Sequence, residues 1–128
     1  MSAEQPHANL FEVTRIEGVT VVRFSRRTIL DPDLVEALGN RLTDLARAEK
    51  CQQVVLNLGM VESLTSAMLG KFASLHQIIS ATGGQVACCH VGDFLRTIFI
   101  LCRFPESIPI FPDEATAIQA LREIAPRT

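Results

Sequence analysis

Tryptophan and tyrosine are absent from this 128-residue chain, so phenylalanine supplies all of its aromatic content. That absence removes the interfacial belt of a membrane protein and the Trp or Tyr platforms on which nucleobases stack. No apolar run approaches the roughly 20 residues that span a bilayer. Neither sign of charge is in excess. Twelve basic and fourteen acidic side chains leave a formal net charge of −2, too small to draw the chain to nucleic acid or an anionic surface. The four cysteines, Cys51, Cys88, Cys89 and Cys102, form no C-x-x-C pair. A zinc knuckle and a thioredoxin-type site are thereby disfavoured. Adjacent cysteines on a strand point to opposite faces and do not readily share a metal. All four are expected as reduced thiols, with Cys88 and Cys89 in a central strand and Cys102 on a buried helix face.

The fingerprints of catalysis are also missing. There is no G-x-G-x-x-G, no G-x-x-x-x-G-K-[ST] and no G-x-S-x-G, so the usual dinucleotide, P-loop and hydrolase cradles are lacking. The histidines His7, His76 and His90 fall in a tail, a helix and a buried-looking strand. Cys89 and His90 are sequence neighbours, but neighbours on a strand diverge and make no nucleophile–base pair. No catalytic residue, cofactor or metal ligand is expected, and the chain reads as a non-enzyme.

What the sequence has is the material of one ordinary domain: 48% hydrophobic and 20% charged residues. A chain of this length buries roughly two thirds of its unfolded surface without needing disulfides. Residues 1–8 read as a flexible tail and 9–125 as the domain. Met1 to Asn9 lack the apolar centre of a signal peptide, which points to the cytoplasm.

Two β-rich runs, Leu10–Ile16 and Val19–Phe24, flank Glu17-Gly18 and predict a hairpin. Ile29-Leu30 adds a short strand. Asp31-Pro32 suits the start of a helix, with Leu34, Leu38, Leu42 and Leu45 on one face and Lys50 at its end. Gln53–Leu58 is a strand, nearly continuous in apolar residues, as expected with both faces covered. A loop over Gly59–Ser63 leads to a helix over about 65–81, with Met68, Phe72, Leu75 and Ile79 inward and Gly83-Gly84 after it. Val86–Val91 is a further strand. A third helix follows from Phe94 to about Arg103, carrying Leu95, Ile98, Phe99 and Cys102 on one side. Ile108–Phe111 is a strand that Pro109 confines to an edge. Pro112-Asp113 opens a last helix, with Ala117, Ile118, Leu121 and Ile124 facing in. The alternation predicts an α/β fold: a mixed sheet of four to five strands, an N-terminal hairpin and about four helices.

Two places hold residues suited to recognition. Arg26 and Arg27, in the turn before the first helix, suit a phosphate or an acidic partner. Met60 to Lys71 follows the central strand and places the adjacent hydroxyls Thr65 and Ser66 at a helix N-terminus. Unpaired N–H groups and the positive dipole end favour an anion there, and both residues are also ordinary caps.

From about residue 10 to 124 the chain resembles the STAS domains, the family of bacterial anti-sigma-factor antagonists. The resemblance rests on the hairpin, Ile29-Leu30-Asp31, the strand Val54-Val55-Leu56-Asn57-Leu58, the loop Val61 to Gly70, and the course from Gly83-Gly84 through His90 into the third helix. The family's loop usually reads Asp-Ser-Ser-Gly. On that pattern Leu64 stands in the place of the Asp, Thr65 in that of the phosphoacceptor, Ser66 in that of the second hydroxyl and Ala67 in that of the glycine. Leu64 removes a carboxylate that would orient the hydroxyl or the kinase.

The resemblance implies a partner-switching protein that is itself no enzyme. It would bind a serine/threonine kinase acting as an anti-sigma factor, lose that partner on phosphorylation of Thr65 (or of Ser66), and be reset by a phosphatase. The residues implied in partner contact are Arg26, Arg27, Leu64, Thr65, Ser66, Met68 and Leu69. Neither nucleic acid nor insertion into a membrane is implied. A second reading is a STAS adaptor in a signalling, lipid-transport or anion-transport assembly with no phosphate chemistry. A nucleotide-binding or transferase domain is a third, and it lacks a phosphate-binding loop.

Overall fold

The computed structural model of the protein describes residues 10–49 and 53–123. The tail expected over 1–8, with His7, as well as Lys50, Cys51 and Ile124, lies outside the described residues.

β1 (Phe11–Ile16) and β2 (Val19–Phe24) pair antiparallel, from Phe11↔Phe24 to Ile16↔Val19. Glu17 and Gly18 between them have φ of 52° and 86°. Positive φ at both central residues defines the type I′ turn, whose twist matches that of the strands it joins. The chain continues through β3 (Thr28–Ile29), α1 (Pro32–Glu49), β4 (Gln53–Asn57), β5 (Ser63–Leu64), α2 (Ser66–Ser80), β6 (Gln85–Cys89), α3 (Asp93–Leu101), β7 (Ile110–Phe111) and α4 (Glu114–Glu123). The main sheet runs β1-β2-β4-β6-β7, and every pairing after the hairpin is parallel. This is the expected mixed sheet with its N-terminal hairpin. β7 lies at the edge, where Pro109 offers only its carbonyl, accepting the Cys88 N–H at 2.9 Å.

The two-residue period of the strands builds two cores. Val22, Phe24, Val54, Leu56, Val86 and Cys88 face one side and pack with Leu38, Leu42, Met68, Phe72, Leu95 and Phe99 of α1, α2 and α3. Val19, Val21, Val55, Ala87 and Cys89 face the other and meet Ala117, Ile118 and Leu121 of α4. Phe24 lies at the centre of an aromatic row. Its ring is 5.7 Å from Phe11 and 5.7 Å from Phe72, both edge to face, and Arg41 covers Phe11 at 5.3 Å. Apolar runs such as Val54-Val55-Leu56 thus reflect helices on both faces.

Three expectations are corrected. Ser63 belongs to a strand: Ser63–Leu64 pairs in parallel with Thr28–Ile29 in a separate two-stranded sheet. Two residues are too few to carry a period. His90 is exposed, with φ of 56°, because β6 ends at Cys89 and the chain turns there. Cys102 is exposed rather than buried, because α3 ends at Leu101 and the inward stripe stops with Leu95 and Phe99.

Candidate functional site

β2, β4 and β6 run parallel and end on one side of the sheet, and α1, α2 and α3 begin there. In open α/β sheets this is the end at which ligands bind. The hydroxyls singled out in the sequence lie on it. Thr65, extended at φ −93° and ψ 163°, is the N-cap of α2. Its Oγ1 accepts the Met68 N–H at 3.3 Å, and its carbonyl accepts from Met68 and Leu69. The side chain is half-buried and its hydroxyl is engaged in holding the helix. Ser66 is the first helical residue and is exposed. No acidic residue occupies the first turn of α2, so the partial positive charge of its N-terminus is uncompensated there.

A clasp holds the segment before these hydroxyls. Arg27 C=O accepts the N–H groups of Glu62 and Ser63 at 2.6 and 3.2 Å. The Arg27 guanidinium pairs with the Glu62 carboxylate at 2.7 Å, with the two side chains 71% and 63% exposed. Such a pair adds little stability, but it occupies Arg27. Arg26, half-buried, has no ion pair among the described residues.

The structure divides the remaining predicted contact residues differently. Leu64, Met68 and Leu69 belong to the core, at 4%, 0% and 4% exposure, so their side chains offer a partner no surface in this conformation. Met68 and Leu69 face inward because the buried stripe of α2 begins with them. Leu64 is buried where β5 pairs with β3. Exposed apolar surface at this end comes instead from Leu30, Met60 and Phe94, at 51%, 57% and 63%. Sequence reasoning missed all three. Their signal was a large apolar residue in a turn or off a helix stripe, where packing does not ask for one.

Behind the hydroxyls, a polar network ties α4 to the strand ends. Arg23 on β2 donates twice to Glu114, and Asn57 on β4 donates to the same carboxylate. Asn57 Oδ1 accepts the Gly59 N–H at 2.8 Å. The Arg23 hydrogen bonds hold the Glu114 carboxyl below its ordinary range, with Asn57 adding to the effect and burial opposing it. Asp113 accepts the Thr116 N–H at 2.8 Å, capping α4, and that bond lowers its own pKa. Burial pushes the Cys89 thiol up to about 12, helped by Glu114 and Asp113, and burial raises Cys88 as well. Neither is a thiolate near neutral pH. Among the described residues no group of three His, Cys, Asp or Glu side chains could hold a metal, and no helix is long and apolar enough to cross a membrane. The chemistry this end offers is an accessible hydroxyl at a helix N-terminus, bordered by exposed apolar side chains.

Known proteins share this fold. The anti-sigma F factor antagonist of Paenibacillus polymyxa is 23% identical over 114 residues, spanning 89% of this chain and 96% of that one. The crystal structure of an anti-sigma factor antagonist from Mycobacterium paratuberculosis is 25% identical, with a TM-score of 0.76 over 88% of this chain and 92% of that one. The Bacillus cell fate determinant SpoIIAA in its phosphorylated form shares the fold, with a TM-score of 0.65 at 14% identity over 88% of this chain and 99% of that one. Residues 11–117 match the STAS domain family, and the chain belongs to that family.

Proposed function

We propose that this protein is an anti-sigma factor antagonist, a binding module without catalytic activity. It docks a serine/threonine kinase that acts as the anti-sigma factor and is released when that kinase phosphorylates the start of α2; a phosphatase restores it. The observation that carries this reading is the exposed Ser66 hydroxyl at the uncompensated N-terminus of α2, on the end that also exposes Leu30, Met60 and Phe94. Thr65 and Ser66 divide the work: Thr65 caps the helix and Ser66 receives the phosphate. A phosphate there adds about −1.5 to −2 charges. The helix N-terminus tolerates that charge, while an apolar or acidic docking surface is repelled by it. The names of the relatives support the antagonist role, and the fold shared with a protein known in a phosphorylated form supports the switch.

One observation favours an unphosphorylated adaptor instead. Leu64 is a buried apolar residue at the position where the family's loop usually has Asp, so no carboxylate stands beside the hydroxyls from that position. A single experiment separates the readings. The protein is incubated with ATP and the kinase encoded beside its gene, the phosphate is located by mass spectrometry, and Ser66→Ala and Ser66→Glu are titrated against that kinase. The switch requires phosphate on Ser66, unchanged binding by Ser66→Ala, and binding weakened about tenfold or more by Ser66→Glu. No phosphate on Ser66 or Thr65, together with undiminished binding by Ser66→Glu, selects the adaptor.

A further inference from the structure

α3 ends in a Schellman motif. The Phe104 N–H donates to Phe99 C=O at 2.9 Å and the Arg103 N–H to Ile100 C=O at 3.1 Å. The rings of Phe99 and Phe104, 4.5 Å apart, supply the apolar contact that accompanies this motif. The residue in the left-handed position is Arg103, with φ of 56°. α2 ends the same way, with Gly84 N–H donating to Ile79 C=O and Gly83 N–H to Ser80 C=O. There the left-handed residue is Gly83, with φ of 88°, which has no Cβ to strain. At the end of α3 the chain keeps a long cationic side chain where glycine would be relaxed. Strained non-glycine residues cluster where their side chains have a use.

Arg103 lies seven residues beyond Arg96, two residues past the end of α3, and both line the same groove. Both are exposed, and neither has a carboxylate partner among the described residues. Between them stand Ile100 and Leu101, 71% and 76% exposed, the two most exposed large apolar residues described. Beside this stripe lies a groove of about 760 Å³, lined by Phe99, Phe104, Ile108 and Ile110 and rimmed by Arg96, Arg103 and Glu106. α3 starts at the end of the sheet that carries Ser66, and the groove lies along that helix and β7, with neither Thr65 nor Ser66 in its lining.

We infer that this face docks an amphipathic helix of a partner protein, which sets a large apolar side chain into the groove and aims flanking carboxylates at Arg96 and Arg103. Helix-in-groove recognition uses such spaced anchors, and the charge on the rim selects an acidic partner. A second copy of this chain fits less well, because it would gather four arginines against two copies of Glu106. A small amphiphilic anion would fill the groove but leave Leu101, outside its lining, in water. Neither hydroxyl lines the groove, so the protein can stay anchored along α3 while Ser66 is switched.

The test uses the full-length protein and a fluorescein-labelled, alanine-based helical peptide of about 18 residues. The peptide carries Leu at its centre, Glu four residues before it and Glu three after. A control carries Lys in place of both Glu. Anisotropy titration is expected to give saturable binding of the Glu peptide and at least about tenfold weaker binding of the Lys peptide. Arg96→Glu with Arg103→Glu is expected to abolish binding while the circular dichroism spectrum is kept. Ser66→Glu is expected to leave the affinity within about twofold, which keeps this inference separate from the switch. Amide shifts on titration should concentrate in residues 96–110. Equal binding of both peptides, shifts centred elsewhere, or no saturation by about 1 mM protein overturns the proposal. So does competition by decanoate or by dimers seen in sedimentation, which would identify an amphiphile or a second copy as the occupant.

Discussion

Arg23 and Glu114, 91 residues apart in sequence, meet through two charge-assisted hydrogen bonds, Nε to Oε2 at 2.7 Å and Nη2 to Oε1 at 2.9 Å. The pair fastens the first turn of α4 to β2, and Asn57 extends the hold to β4. Two parallel bonds fix orientation as well as distance. α4 is the one helix described on its face of the sheet, so its placement depends on this anchor and on the packing of Ala117, Ile118 and Leu121.

Glu114→Gln is expected to lower stability by about 1–2 kcal/mol in urea denaturation at neutral pH. The Glu114 carboxyl is held below its ordinary value of 4.5, first by the Arg23 hydrogen bond. A depressed carboxyl pKa contributes stability that is complete above the unfolded value and lost as the pH falls through the folded one. The gap between wild type and variant should therefore be constant above about pH 5.5 and close steadily below it. A gap that widens with acidity would refute this role.

Thr65 and Ser66 should separate by readout. Thr65→Ala removes the hydroxyl that accepts the Met68 N–H and should lower stability by about 0.5–2 kcal/mol. Ser66→Ala should change stability by less than about 0.5 kcal/mol yet remove the phosphate. Thermal denaturation and phosphopeptide mapping of both variants check the division.

Arg103 and Gly83 form a mirrored pair. Arg103→Gly relieves a left-handed arginine and should raise stability by up to about 1 kcal/mol, while weakening any partner held at the groove. Gly83→Ala should lower stability by about 1 kcal/mol. An added Cβ there meets nothing within 4 Å, so the loss is one of backbone conformation alone. Equal and small effects at both positions would show that neither carries strain.

The cysteines should differ sharply in alkylation. Cys102 is exposed, whereas Cys88 and Cys89 are buried. With Cys89 pushed up to about 12, roughly one molecule in ten thousand carries its thiolate at pH 8. A brief iodoacetamide pulse, read by peptide mass spectrometry, should label Cys102 at least about 100-fold faster than Cys88 or Cys89. Comparable labelling of the native protein would mean that the central strand is open to solvent.

The sequence by itself determined the order of the helices and of the main-sheet strands, the hairpin turn at Glu17-Gly18, the edge position of β7 and the inward stripe of α2, but not the short β5. Each is a local matter: a two-residue or 3.6-residue period, a positive-φ turn, a proline without a donor. It also determined that Cys88 and Cys89 face opposite sides of the sheet, since the pleat alone requires it. The run from the central strand into the second helix placed the hydroxyls at a helix start, where the structure has them. Tertiary structure alone decided which of the two is free, because Thr65 and Ser66 look alike as letters and differ only once the helix claims one as its cap. The same holds for Leu64 and Leu69, which the core takes up, and for Leu30, Met60 and Phe94, which it leaves outside. Cys102 and His90 lie where a helix and a strand stop short of the apolar pattern that suggested burial. Exposure at such ends is set by neighbours distant in sequence, and no local period records them.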